Sequence, residues 1–256
     1  MSALIEATGV CKSFGGLQAL SDCSLSVTEG QIAGLIGPNG SGKTTLFNVM
    51  TGYERCNQGE IRLRGEPISR ATPERVFALG VGRTFQITRL FFRLTVLENM
   101  LVATQRHEGW IRSAVRRAGS VAERGRALEL LEFVGLDRLA HSPAGILSYG
   151  QRKLLELASL LVADPEVLLL DEPTAGVNPT LINQLTERIR ELNRAGKTFL
   201  VVEHNMEFVM GLCDRVTVLD YGNAVVSGPP DVIRNDRRVL DAYLGTDEEE
   251  DDSSAA

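Results

Sequence analysis

The sequence predicts an α/β fold in which a largely parallel sheet is covered by helices. In the second half of the chain, short apolar segments alternate with helical patterns, and near residue 37 an apolar segment leads through a glycine-rich loop into a helix. Strands that alternate with helices favour a doubly wound parallel sheet. A chain of 256 residues has room for one large domain of this class with a small inserted lobe.

The start of the chain is predicted to be β structure and its middle to be helical. The first residues alternate short β-like segments with turns, among them the turn at Gly15 and Gly16. From about 87 to 161 the pattern is helical, and we interpret this stretch as a lobe inserted in the α/β core. The predicted strands are 4–10, 20–27, 31–37, 60–64, 167–170, 198–202, 215–219 and 224–227, and the predicted helices are 43–50, 96–105, 121–134, 151–162 and 179–194.

The net charge of the chain is concentrated at its C-terminal end. The formal charge is -6, and the run 247–252 holds six acids and no base, so that the remainder balances 27 acids against 27 Lys and Arg. A protein without a basic excess is not expected to bind nucleic acid. The stretch 247–256 is predicted to be a disordered acidic tail.

No segment of the sequence is long and apolar enough to cross a membrane. A spanning helix needs about 18 consecutive apolar residues, and no run approaches that length. The four cysteines form no CxxC pair and indicate neither a zinc site nor a disulfide framework. If the protein serves a membrane process, other chains are expected to do the spanning.

A phosphate-binding loop is predicted between the strand at 31–37 and the helix at 43–50. The residues from Gly37 to Thr44 fit the pattern GxxxxGK[ST], in which backbone N–H groups and a helix N-terminus surround phosphates. Lys43 would reach the β- and γ-phosphates, and Thr44 would bind Mg²⁺. The alternative is a glycine turn that caps a helix, but the strand–loop–helix context favours a nucleotide site. The candidate ligands in this phosphate loop (residues 37–45) are Gly37, Pro38, Asn39, Gly40, Ser41, Gly42, Lys43, Thr44 and Thr45.

Two acidic residues end a strongly apolar strand later in the chain. Asp171 and Glu172 follow the segment 167–170, and ligands bind at the carboxyl ends of strands in open α/β sheets. Buried acids are costly unless they have partners. We therefore predict that Asp171 binds Mg²⁺ with Thr44, and that Glu172 polarises the attacking water as general base. The alternative is an acidic helix cap before Pro173, which is less favoured because the same chain contains a phosphate loop.

A third motif opens the helix predicted at 151–162. In the segment 147–151, Leu-Ser-Tyr-Gly-Gln, Ser148 and Gln151 form a capping box. A helix N-terminus with a serine hydroxyl and a neighbouring glycine, here Gly150, can bind phosphate. Alone, this pentapeptide would indicate no more than a helix cap. Because it lies shortly before the acidic strand, the pentapeptide resembles the signature motif of ABC ATPases, usually written LSGGQ.

Other residues extend the resemblance to ABC ATPases over residues 3 to 245. Gln86 resembles the family's Q-loop glutamine, which touches Mg²⁺ and water and joins the core to the helical lobe. His204 resembles the switch histidine that contacts the γ-phosphate. Phe14 lies where the family places an aromatic ring on adenine, and 175–178 occupies the D-loop position.

Two positions depart from the family pattern. Tyr149 replaces the first glycine of the signature, although Ser148 and Gly150, the pair that contacts phosphate in the family, are present. Asn178 stands where many members carry Asp, which keeps hydrogen-bonding capacity but loses a charge.

The resemblance implies a fold, cofactors and a working unit. The fold would be a RecA-like P-loop core with N-terminal antiparallel β elements and an inserted α-helical subdomain, as a single domain over 1–246. ATP and Mg²⁺ would be the cofactors. Each ATP would lie between the phosphate loop of one chain and Ser148, Gly150 and Gln151 of a second ABC ATPase subunit, in a homo- or heterodimer. The implied catalytic residues are Glu172, His204 and Gln86, and the implied metal-site residues are Thr44, Gln86 and Asp171.

Finer resemblance is to the ATPases of branched-chain amino-acid importers, a group that also includes urea and short-amide importers. This implies transmembrane permease subunits as partners, a substrate-binding protein as an indirect partner, and a cytoplasmic location, peripheral on the inner face of the cell membrane. The segment from about 87 to 99, which includes Phe91 and Phe92, is the candidate dock for a cytoplasmic helix of a permease, and the alternative for each Phe is ordinary packing within the helical lobe. The segments that carry the resemblance are 82–91, 94–99, 147–152, 203–207 and 242–245.

Two other interpretations compete with an importer subunit. A soluble ABC ATPase of translation or DNA repair usually carries two modules, or a coiled-coil or zinc insertion, and none is visible here. A P-loop kinase or another P-loop enzyme would not need the residues Ser148 to Gln151 or His204. A single module without a membrane span fits the importer best.

Overall fold

The computed structural model describes residues 3–84, 90–103 and 120–244, which form the predicted α/β fold. Gln86, residues 104–119 of the predicted lobe and the predicted tail lie outside the described residues. The described strands are β1 (Ala3–Phe14), β2 (Leu17–Thr28), β3 (Ile32–Ile36), β4 (Gln58–Leu63), β5 (Glu66–Pro67), β6 (Val81–Arg83), β7 (Val167–Asp171), β8 (Thr198–Val202), β9 (Arg215–Asp220) and β10 (Asn223–Gly228). The described helices are α1 (Lys43–Met50), α2 (Pro73–Ala78), α3 (Val96–Ala103), α4 (Val121–Phe133), α5 (Tyr149–Leu161), α6 (Pro179–Arg194), α7 (Met206–Leu212), α8 (Pro230–Arg234) and α9 (Arg237–Leu244).

The strands form two sheets of different character. The N-terminal sheet has the order β2-β1-β4-β5, and its neighbours are antiparallel. The second sheet has the order β10-β9-β3-β8-β7-β6, in which every pair is parallel except the β9–β10 hairpin. The expected antiparallel elements and parallel core are therefore both present.

Alternate residues of the central strands pack on opposite faces of the six-stranded sheet. In β3, Ile32 and Ile36 join the hydrophobic core on the side of α3, α4 and α5, whereas Ala33 and Leu35 join the core shared with the N-terminal sheet. This follows from the two-residue period of a strand. Because both faces are covered, the central strands β3, β7 and β8 are mostly apolar, as is usual for parallel sheets.

The helices α3, α4 and α5 pack together and supply a large part of one hydrophobic core. Both α4 and α5 begin with a capping box, formed by Ser120 with Glu123 and by Ser148 with Gln151. In each box the serine side chain accepts a backbone N–H of the first turn while the third residue's side chain accepts the N–H of the serine. The capping box predicted for α5 is confirmed.

The first hairpin is longer than predicted. The polar residues of its tip end the apolar pattern, so the prediction stopped at residue 10 and resumed at residue 20. Strand pairing uses backbone groups, however, and it continues through Lys12↔Leu20 and Ser13↔Gln18 to Phe14↔Leu17. The short elements β5, β6, α2, α7, α8 and α9 were not predicted, because none is long enough to show a clear period.

Across the described ranges, no helix has the length and apolar character needed to cross a membrane. The four cysteines are all free thiols. Burial raises the pKa of Cys23 and of Cys213 to about 12 in each case.

Candidate nucleotide site

The loops that carry the predicted site residues leave one edge of the six-stranded sheet. β3, β8, β7 and β6 are parallel neighbours, so their carboxyl ends meet at this edge. The phosphate loop follows β3, Glu172 follows β7, and His204 lies shortly after β8. In open α/β sheets this is the edge where ligands bind. The fold therefore gathers residues that are far apart in the sequence.

Two glycines of the phosphate loop are required by its close approach to neighbouring backbone. At Gly37 a Cβ atom would collide with the carbonyl oxygen of Leu219. Gly42 has φ of +103°, and a Cβ there would lie 2.6 Å from the carbonyl oxygen of Ala19. The loop is also tied to the β9–β10 turn, where the N–H of Gly222 donates to Ser41 O at 2.9 Å. Only glycine fits such positions without strain.

The helix α1 begins at the phosphate loop without a side-chain cap. Its N-cap residue is Gly42, which has no side chain to accept the N–H groups of the first turn. Helix N-termini of this kind bind anions, because backbone donors and the helix dipole act together. The structure is consistent with the predicted phosphate site.

Lys43 is buried, and its ammonium group donates to the loop itself. Its Nζ lies 2.8 Å from Gly37 O and 2.8 Å from Pro38 O. Burial lowers the pKa of Lys43, while the negative charges of Glu172 and Asp171 oppose that shift. The phosphate loop and the end of β7 thus lie within electrostatic reach of each other, as the two predicted halves of a Mg²⁺–nucleotide site require.

Asp171 is the buried last residue of β7. Its N–H donates to Thr84 Oγ1 at 3.1 Å, and its Oδ2 accepts from Nη2 of Arg83 at 2.9 Å. This buried ion pair was not predicted, because Arg83 and Asp171 are distant in the sequence and no local pattern connects them.

Glu172 has an unusual backbone conformation for a residue other than glycine. Its φ is +46°, in the left-handed region, and its N–H donates to Val202 O at 2.9 Å. Non-glycine residues rarely adopt this conformation, and when they do they concentrate at functional sites. The position predicted for the general base is therefore one where the fold maintains local strain.

Glu203 is a functional candidate that the sequence interpretation missed. It is fully buried, and its Oε1 accepts from the N–H of Thr174 at 2.7 Å and from the hydroxyl of Thr174 at 2.6 Å. Its Oε2 accepts from the N–H groups of His204 and Asn205 at 3.1 and 3.3 Å. The signal was available: Glu203 directly follows an apolar strand, as Asp171 and Glu172 do.

The signature segment lies at the start of α5, on the helical part of the molecule. Ser148 and Tyr149 are exposed, whereas Gly150 is buried. A Cβ on Gly150 would lie 2.5 Å from Leu181 Cδ1, so the glycine also permits close packing against α6. The ring of Tyr149 lies beside Gly176 of the D-loop segment.

The remaining predicted residues lie around the phosphate loop or in neighbouring loops. Phe14 is 44% exposed at the tip of the first hairpin, with Nζ of Lys12 at 4.6 Å from its ring centroid. Thr44 is exposed and Thr45 half-buried at the start of α1. The imidazole of His204 is exposed beside the buried Glu203. Gln86 lies outside the described residues.

Comparison with known proteins identifies the family. The family model described as ABC transporter matches residues 20–175, which is more than half of the chain. The chain belongs to the ABC transporter family. It is an ATP-hydrolysing ABC cassette, and the resemblance to ABC ATPases seen in the sequence is confirmed. A second model, described as branched-chain amino acid ATP-binding cassette transporter, matches residues 225–249 of this ABC cassette.

Relatives of this ABC cassette match it along nearly its whole length. It is 42% identical over 250 residues to LivG of Salmonella typhimurium, named as a high-affinity branched-chain amino acid transport ATP-binding protein, which covers 94% of this chain and 98% of the relative. A crystal structure of the ADP conformation of an ATP-binding cassette of an ABC transporter matches with a TM-score of 0.87 and 32% identity, over 96% of this chain and 100% of that one. A dimeric structure of a bacterial ABC transporter cassette matches with a TM-score of 0.77 and 26% identity, over 88% and 98%.

Proposed function

We propose that this ABC ATPase energises the uptake of branched-chain or other hydrophobic amino acids through separate permease subunits. The support is the 42% identity to LivG along both chains, together with the match of residues 225–249 to the branched-chain amino acid model. In this proposal residues 1–246 act as a single ATPase domain with a helical subdomain at about 87–161, and 247–256 form a tail.

ATP binds along the phosphate loop in this proposal. The loop from Gly37 to Thr45 surrounds the phosphates, and Lys43 exchanges its two carbonyl acceptors in the loop for phosphate oxygens. The exposed ring of Phe14 stacks on adenine with the face that is not used by Lys12. Buried Lys43 beside the charges of Asp171 and Glu172 is the observation that best supports this site.

The donor set at the same edge fits Mg²⁺. This ion prefers hard oxygen ligands and keeps several waters, so a hydroxyl and one or two carboxylate oxygens beside phosphates are sufficient. Thr44 offers an exposed hydroxyl, and Asp171 offers a carboxylate that Arg83 engages through Oδ2. We assign Thr44, Asp171 and Gln86 to the ion, which when bound would neutralise charge on the phosphates.

Hydrolysis in this proposal needs a base and a sensor of the γ-phosphate. Glu172 takes the proton of the attacking water, Gln86 orients that water, and His204 donates to the γ-phosphate. Two observations support these roles. Glu172 has a strained backbone conformation, and the N–H of His204 donates a hydrogen bond to Glu203, so that both side chains start from well-defined backbone positions.

The working unit in this proposal is a dimer. The exposed Ser148, with Gly150 and Gln151, contacts the γ-phosphate of ATP held by the other subunit, so that ATP favours the closed pair and hydrolysis opens it. The existence of a dimeric structure among the similar cassettes supports this arrangement.

Permease docking is assigned to the exposed aromatic residues near the start of the helical part. Phe91 and Phe92 are 56% and 48% exposed. Neighbouring exposed aromatics are a feature of protein interaction sites. With this contact the subunit would lie on the cytoplasmic face of the membrane, and a substrate-binding protein would contact the complex only through the permeases.

The first test is Glu172→Gln. We expect this variant to bind ATP, to lose at least about 100-fold in turnover because general-base catalysis contributes about 10²–10⁴-fold, and to accumulate as a closed dimer. Size-exclusion chromatography with light scattering, with ATP or with ADP, measures the dimer. Normal turnover in Glu172→Gln would refute the assignment of the base.

The second test concerns the transported solute. Co-purification from the source membrane should yield permease chains, and reconstitution with them should give ATP-dependent uptake of leucine, isoleucine or valine. Uptake of urea or a short amide instead would assign the complex to the other importers of this group. Recovery on ribosomes or DNA would favour a soluble, non-transport ABC ATPase.

A further inference from the structure

Arg83 is a buried arginine that connects three elements of the ABC core. Its Nη2 donates to Asp171 Oδ2 at 2.9 Å, at the end of β7. Its Nη1 donates to Asn48 Oδ1 at 2.7 Å and to Thr51 Oγ1 at 3.2 Å, on and just after α1. Arg83 itself ends the edge strand β6. One guanidinium therefore joins the helix that follows the phosphate loop to the strand that carries the predicted metal ligand.

Aromatic rings also hold the guanidinium of Arg83 in place. Its Cζ lies 5.4 Å from the ring centroid of Phe47 and 5.9 Å from that of Tyr53. The side chains of Arg83 and Asp171 are only 6% and 5% exposed. Taking such a pair out of water is costly, so it is weak evidence for stability by itself. If Arg83 orients Asp171, the buried ion pair has a function that does not depend on its contribution to stability.

We infer that Arg83 is a positioning residue for Asp171, setting the orientation of that carboxylate for the Mg²⁺ of bound ATP. The inference rests on the Mg²⁺ role proposed for Asp171. Arg83 fixes Oδ2, and the hydroxyl of Thr84, the next residue, accepts the N–H of Asp171 at 3.1 Å. The end of β6 therefore holds Asp171 through both its backbone and its side chain.

The planar fork of arginine is essential to this arrangement. Arg83 uses one terminal nitrogen for Asp171 and the other for Asn48 and Thr51, and its planar face lies near two rings. A lysine would keep the positive charge but would offer a single nitrogen, which cannot maintain the same geometry. Arg83→Lys therefore separates the orientation of Asp171 from the neutralisation of its charge.

The experiment measures Mg²⁺ dependence of nucleotide binding, which does not require turnover. A fluorescent ATP analogue is titrated into Arg83→Lys in EDTA, and then at fixed nucleotide with increasing Mg²⁺. We expect the half-saturating Mg²⁺ concentration to rise about 10- to 100-fold, the usual effect of losing a partner of a metal ligand, while affinity in EDTA stays within about twofold. Arg62→Lys is the matched control, because Arg62 forms an exposed pair with Glu60 at 2.8 Å.

Thermal unfolding shows whether the variant is folded. If Arg83→Lys does not fold, Asn48→Ala replaces it. Arg83 and Asp171 remain, and Nη1 loses one of its two acceptors while Thr51 stays. The half-saturating Mg²⁺ concentration should rise about fivefold, because only part of the loss of a hydrogen bond to a charged group reaches Asp171. A folded Arg83→Lys, or in its place Asn48→Ala, with the Mg²⁺ dependence of the parent overturns the inference.

Asp171→Asn separates this inference from the proposed site. If Asp171→Asn does not shift the Mg²⁺ dependence, the proposed metal role of Asp171 is wrong and the inference fails with it. If Asp171→Asn shifts the dependence and Arg83→Lys does not, the metal role stands and only the positioning role is overturned.

Discussion

Two helix N-termini are assigned to the same nucleotide, but they are built in opposite ways. α1 begins at Gly42, in a left-handed conformation and without a side-chain cap. α5 begins at Ser148 with a complete capping box, in which the Ser148 hydroxyl oxygen accepts the N–H of Gln151 at 3.3 Å. No side chain caps the first turn of α1, whereas the capping box of α5 accepts two N–H groups within its own chain.

The difference shows how each N-terminus can contact phosphate. The first turn of α1 can offer backbone donors directly, because no side chain competes for them. Ser148 has used its oxygen as an acceptor, but a hydroxyl also carries a proton that it can donate. The phosphate loop is therefore expected to bind nucleotide in a single chain, whereas Ser148 is expected to act only when a second chain presents ATP.

The largest expected effect is the loss of ATP-dependent dimerisation in the variant Ser148→Asp. Aspartate caps helices as well as serine does, so folding should be unaffected, but its charge would face the γ-phosphate of the partner's ATP. Like charges at about 4 Å repel by about 4 kcal/mol at an effective dielectric constant of 20, which predicts a loss of about 1,000-fold in ATP-dependent dimerisation.

Ser120→Asp is the control for that measurement. Ser120 caps α4 with the same kind of capping box, so this variant adds the same charge at an equivalent helix position. Analytical ultracentrifugation with ATP, in the Glu172→Gln background, would measure both. Equal dimerisation of the two variants would contradict the assignment of Ser148 to the shared site.

The next effect in size is on binding by a single chain. Lys43→Ala removes the charged donor of the phosphate loop, and hydrogen bonds to charged groups contribute about 1.5–3 kcal/mol. We expect ADP affinity, measured by calorimetry on the monomer, to fall about 10- to 150-fold. Ser148→Ala should leave monomeric ADP affinity unchanged; a comparable loss in both variants would remove the distinction between the two N-termini.

The smallest effect is the difference in stability, without nucleotide, between two glycine-to-alanine variants. Gly42→Ala places a Cβ at φ of +103°, 2.6 Å from Ala19 O, and should lower the free energy of unfolding by about 3 kcal/mol, at the upper end for local backbone strain. Gly196→Ala has φ of +93° with open space around it, and should cost about 1–2 kcal/mol. Equal losses in urea denaturation would show that the close approach to Ala19 carries no cost.

The sequence predicted those features that are encoded by neighbouring residues. The phosphate loop is one continuous segment with glycines at fixed spacing, and the capping box needs only Ser148 and Gln151. Apolar strands such as β7 and β8 were also recognised within about one residue, because they are buried on both faces.

What the sequence did not predict at the candidate site depends on contacts between distant segments. The pair of Arg83 with Asp171 and the bonds of Glu203 to Thr174 join residues that only the sheet brings together. Strand β6 is three residues long and includes a glycine, so its assignment follows from pairing with β7 and not from its own composition.

The carboxylate of Glu203 has a consequence for how events at the site follow one another. One oxygen binds the turn after Glu172, and the other binds the backbone that presents His204. A displacement of either loop must break these bonds in a dry interior or pull the other loop with it. If Glu172 and His204 have their proposed roles, loss of the terminal phosphate at His204 is therefore expected to shift the turn that follows Glu172.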